Sequence, residues 1–162
     1  MTTKSDFSED EWDRIVRAPF VAGLAVSLAD PGGPIELTKE SLASIRAATH
    51  PSSQEQLITE AAAEIQADVQ AKTNPLKGYR PTSEGTAPAG EQVLVELGAV
   101  HGIVAARATP GETAAFGQWL VDTAQAVADA AKDGGFLGFH AKQVSKHESE
   151  MVDRVRAVVT AS

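Results

Sequence analysis

The chain of 162 residues contains no cysteine. Disulfides are therefore impossible, and so are a thiol nucleophile, an iron–sulfur cluster and a cysteine zinc site. Aromatic residues are scarce, with five Phe, two Trp and one Tyr, which leaves little flat surface for stacking bases or sugars. No apolar run reaches the length of a membrane span, and Met1-Thr2-Thr3-Lys4-Ser5-Asp6 leads into acidic residues rather than the apolar stretch of a secretory leader. The expectation is a cytoplasmic protein without membrane insertion. Cations are outnumbered, 14 Lys and Arg against 22 Asp and Glu, for a net charge of −8. That charge repels a phosphate backbone and argues against nucleic acid as a partner. It is unevenly spread: residues 1–13 hold Asp6, Glu9, Asp10, Glu11 and Asp13 against Lys4, whereas residues 72–90 hold Lys72, Lys77 and Arg80 against Glu84.

Strand patterning is also missing, since no segment alternates apolar and polar residues for long enough to pair in a sheet. What is present is helical spacing, with a cap at most helix starts. Ser8 with Glu11, Ser52 with Glu55, Thr109 with Glu112 and Ser145 with Glu148 each have the spacing of a reciprocal capping box. The stripes that follow predict six helices. The first carries Trp12, Ile15, Val16, Phe20, Leu24 and Leu28 through Pro19, which should kink it near Ala18. The second starts at Thr38 with Leu42 and Ile45 inward. The third carries Leu57, Ile58, Ala61, Ile65 and Val69. The fourth, near 88–108, carries Val93, Leu94, Leu97, Val100 and Val104, and its Gly98 and Gly102 share a face on which a neighbouring backbone could approach closely. The fifth carries Phe116, Trp119, Leu120, Thr123, Val127 and Ala130, and the last Met151, Val152, Val155, Val158 and Val159. With 28 alanines, these helices should pack closely. The fold class is all-α: one bundle-like domain over residues 1–162, with a flexible N-terminus at 1–7. A long Pro/Gly-rich internal loop at 73–90 is expected to be a mobile connector.

Two segments share an unusual layout, an alanine-rich run followed by Asp and Gly-Gly before the next helix: Asp30-Pro31-Gly32-Gly33 and Asp133-Gly134-Gly135. Glycine stops a helix because it enters the left-handed conformation without a Cβ penalty. An EF-hand needs oxygen side chains at its third and fifth positions. Gly32 and Pro34 supply none after Asp30, and Gly135 and Leu137 none after Asp133. A phosphate loop needs a Gly-Lys-Ser/Thr ending, which Gly134-Gly135-Phe136-Leu137-Gly138 lacks.

Catalytic and metal signatures are absent. No His-x-x-x-His or Glu-x-x-His pair occurs, no Gly-x-Ser-x-Gly elbow occurs, and His101 has no carboxylate and hydroxyl partner at a recognisable spacing. His140, His147 and Glu148 could converge, yet a histidine beside a cap is ordinarily polar surface. The sequence calls for no metal and no cofactor. Two readings of function remain. The favoured one is a non-enzymatic interaction or assembly protein, a homodimer or the partner of another protein, working through helix faces and the loop Phe136-Leu137-Gly138-Phe139. Its apolar side chains must be buried under the loop or against another molecule. The alternative is a small-molecule binder or enzyme with an interhelical pocket lined by His101 and Trp119.

Overall fold

A computed structural model describes residues 1–29, 34–81, 88–133 and 146–160, with the side chains of 34–38 and 132–133 left aside. Among these residues the chain forms six α-helices and no strand: α1 (Glu9–Ala29), α2 (Pro34–Thr49), α3 (Gln56–Gln70), α4 (Ala89–Ala105), α5 (Pro110–Asp133) and α6 (Lys146–Val159). A single 3-10 turn at Lys4–Asp6 precedes them. The all-α expectation holds, with six helices as the spacing indicated.

α1 and α5 are the central pair, each packing against every other helix. Their sequences explain why. From Ala18 to Val26 α1 has no charged side chain and is buried almost all round, at Ala18, Pro19, Phe20, Val21, Ala22, Gly23, Ala25 and Val26, as expected of a helix surrounded by others. Pro19 sits inside this helix, which runs on to Ala29. In α5, Phe116, Trp119, Leu120, Val121, Ala124, Val127 and Ala128 are buried. All six helices contribute to one apolar core. Small residues set the closest approaches. A Cβ added to Gly23 would lie 3.1 Å from Val127 Cγ2 and 3.4 Å from Ser44 Cβ, and one on Gly117 would collide with the Val159 carbonyl oxygen.

Four expectations change. Leu42 is 62% exposed rather than inward. The inner face of α2 is instead made by Glu40, Ser44 and Ala48, whose small or hydrogen-bonded side chains let the helix lie close to α5, where Trp119 Nε1 donates to the Ala47 carbonyl at 3.3 Å. α2 also begins at Pro34, ahead of Thr38. Gly98 and Gly102 admit no neighbouring backbone, because a Cβ at either would meet nothing within 4 Å. The Ser52–Glu55 box does not form: α3 opens after Glu55, whose amide donates to Ser53 Oγ at 3.1 Å.

Candidate functional site

His101 sits on the inner side of α4 and is 9% exposed. Burial pushes its imidazole below the ordinary 6.5, so it is neutral at neutral pH. Trp119 lies on α5, 2% exposed, edge-on to Phe116 at 6.2 Å and hydrogen-bonded to α2. Neither residue lines either of the two clefts that flank α1. Phe136, Leu137 and Phe139 lie outside the described residues, as does His140; His147 is exposed and Glu148 buried.

The larger cleft, about 590 Å³, lies between α1, α3 and the turn at 73–78. Its lining carries Asp10, Asp13, Glu64 and Asp68 together with Arg14, Arg17 and Lys77, and apolar Val16, Phe20, Ile65 and Val69. Much of that charge is engaged within the protein. Arg14 forks onto Glu96 at 2.8 and 3.0 Å, and Glu64 accepts Lys4 Nζ at 3.1 Å and Trp12 Nε1 at 2.6 Å. Arg17 donates to the Lys77 carbonyl at 3.1 Å and lies over the Tyr79 ring, pinning the turn against α1. Burial, followed by the Glu96 carboxylate, pushes the Tyr79 phenol up.

The smaller cleft, about 290 Å³, is formed by α1, α2, the Asn74–Leu76 turn and Val127 of α5. Phe20, Asn74 and Pro75 line both clefts and form the wall between them. Apolar Phe20, Leu24, Ile45, Leu76 and Val127 make most of its surface, and among the described residues Glu40 is its only ionisable lining residue. Glu40 is 4% exposed and accepts the Ser27 hydroxyl at 2.5 Å.

A third feature is convex. Glu91 and Glu96 are the only charged residues of α4, and a helix that is apolar on most sides is ordinarily enclosed. Here one side is open: Val95 is 72% exposed, and Ala99, Gly102 and Ala106, at helical spacing along the same line, are exposed too. Ion pairs rim this strip. Arg14–Glu96 and Arg107–Glu11 tie its flank to α1, and Arg154–Glu91 ties it to α6.

Hydropathy alone points to α4 as the most apolar helix but not to its open side. The pattern does carry a hint, because Val95 falls outside the stripe of Val93, Leu94, Leu97, Val100 and Val104. Among the described residues no helix is long and apolar enough to cross a membrane. No protein-family model, curated protein or solved structure matches the chain.

Proposed function

We propose that this protein is a non-enzymatic association module of the cytoplasm that pairs with a second copy of itself through the outer face of α4. The observation that carries the reading is the exposure of Val95, 72%, on the helix with the fewest charges. An apolar strip rimmed by polar groups is the usual form of a protein-binding surface. The choice of a second copy rests on charge. A two-fold interface must be complementary to itself. Each flank of the strip presents a cation and an anion together, Arg14 with Glu96 and Arg107 with Glu11 on one side, Arg154 with Glu91 on the other. Two copies can therefore meet there without the repulsion that a net charge of −8 would impose elsewhere.

The strip is short. Seventeen residues of helix span about 25 Å at 1.5 Å per residue, and a stable interface buries about 800 Å² per partner. The strip and its rims fall at the low end of that scale, so the pairing is weak and reversible. Sedimentation velocity over a concentration series tests it. The sedimentation coefficient of the wild type should rise with concentration, and that of Val95→Glu should not, while the variant's stability stays within about 0.5 kcal/mol because the position is on the surface. A wild type that sediments as a monomer at every concentration ends the proposal.

A further inference from the structure

The turn that follows α3 is bonded within itself and tied only lightly to the rest of the protein. At its root Thr73 N–H donates to the Asp68 carbonyl at 2.9 Å and Lys72 N–H to that of Val69 at 3.0 Å. These paired bonds end a helix on a left-handed residue, here Lys72 at φ 58° in place of the usual glycine. Beyond the root Asn74 organises the turn: its side-chain oxygen accepts the Leu76 amide at 3.0 Å and its carbonyl the Lys77 amide at 3.0 Å, while the Leu76 carbonyl accepts the Tyr79 amide at 2.9 Å. Among the described residues, the one hydrogen bond from 74–79 to another element is that of Arg17 to the Lys77 carbonyl, at 3.1 Å. We infer that residues 73–79 are a lid, hinged at Lys72, that lifts from α1 and joins the two clefts into one groove.

Two polar atoms make the closed position costly. Arg17 Nε and Tyr79 Oη are both shut off from water, and neither has a hydrogen-bond partner. Both belong to the contact that fastens the lid, in which the guanidinium lies 5.6 Å from the centre of the Tyr79 ring. A polar atom buried without a partner forfeits the bonds it makes in water, and lifting the lid restores them. The side chains of the lid offer little to offset this, since Leu76 and Tyr79 are only partly buried and Asn74, Lys77 and Gly78 are exposed. Gly78 permits the closure: it sits at φ +85°, where a side chain is strained, and a Cβ there would lie 2.9 Å from Arg17 Nη1. Asn74 and Pro75 are the lid's share of the wall between the clefts. Lifting them leaves Phe20 between two spaces, of about 590 and 290 Å³, that have become continuous.

Trypsin reads the lid directly, because the Lys77 carbonyl that Arg17 holds belongs to the Lys77–Gly78 bond that the protease cuts. Under native conditions the rate of that cut, with fragments located by mass spectrometry, follows the population of the lifted state. Each rate is divided by that of a free peptide with the same local sequence, so that only the lid is compared. In the wild type the cut should be nearly independent of urea well below the unfolding midpoint, because lifting a short turn exposes little surface. Tyr79→Phe keeps the ring under Arg17 and deletes the unpartnered hydroxyl, so it should slow the cut about tenfold. Gly78→Ala crowds Arg17 in a strained backbone and should speed it about tenfold. Both changes lie at the surface turn and leave the helices intact. A cut that rises with urea as steeply as global unfolding does, a Tyr79→Phe protein cut as fast as the wild type, or a Gly78→Ala protein cut no faster would each overturn the lid.

Discussion

Thr2 donates both its backbone N–H and its hydroxyl to the Glu112 carboxylate, each at 2.7 Å. The same carboxylate closes the cap of α5 by accepting the Thr109 amide at 2.8 Å, while Glu112 N–H donates to Thr109 Oγ1 at 3.2 Å. One side chain therefore starts the central helix and fastens the N-terminal segment across it. Both residues are buried, Thr2 5% and Glu112 3% exposed.

The backbone N–H groups of Thr109 and Thr2, then the Thr2 hydroxyl, hold the Glu112 carboxyl well below its ordinary 4.5, at about 2. A depressed carboxyl stabilises the fold at every pH above its unfolded value and loses that contribution as pH falls from 4.5 towards 2. Glu112→Gln should accordingly cost about 1–3 kcal/mol at neutral pH, the scale of a hydrogen bond to a charged group. Urea unfolding should show the gap between variant and wild type narrowing below pH 4.5. A constant gap would mean that the charge of Glu112 is immaterial.

His101 behaves in the opposite sense to a surface histidine. Its folded-state value is lowered by burial, so as pH falls through 6.5 the unfolded chain takes up a proton before the folded one, and stability declines. Wild-type stability should drop as pH falls below 6.5, and His101→Gln should flatten that drop. Direct titration by NMR must place the imidazole below 6.5; a value above it contradicts the burial account.

Two glycine substitutions should move stability in opposite directions. Gly117→Ala forces α6 away from α5 at Val159 and should cost about 1–3 kcal/mol, as overpacking does. Gly102→Ala meets open space and should stabilise the monomer by about 0.5–1 kcal/mol through helix propensity. Thermal denaturation of the pair checks both signs.

The parts of the fold legible in the sequence are those governed by local chemistry. The Ser8–Glu11 and Thr109–Glu112 boxes form as spaced, the former with bonds of 2.9 and 3.2 Å, whereas the Ser52–Glu55 box, of the same spacing, does not, because α3 opens after Glu55. α2 departs from its apolar pattern because its inner face is set by other helices. Leu42 points outward, and Glu40 and Ser44 point inward because Ser27, Gly23 and Val127 on other helices accommodate them. The clefts were illegible for the same cause, since four separate segments build the smaller one. The open side of α4 was half visible: its inward stripe omitted Val95, but the glycines at 98 and 102 suggested a close internal neighbour where the structure has none.

The most direct measurement of the α4 pairing exploits the absence of cysteine. Ala99 is exposed at the middle of the strip, so a single Ala99→Cys places a unique thiol where the proposed pairing would bring two copies together. Under mild oxidation Ala99→Cys should form a disulfide-linked dimer much faster than Ala63→Cys, an exposed position on α3, and adding Val95→Glu should abolish the advantage. Crosslinking of Ala99→Cys no faster than Ala63→Cys, or undiminished by Val95→Glu, would contradict the account.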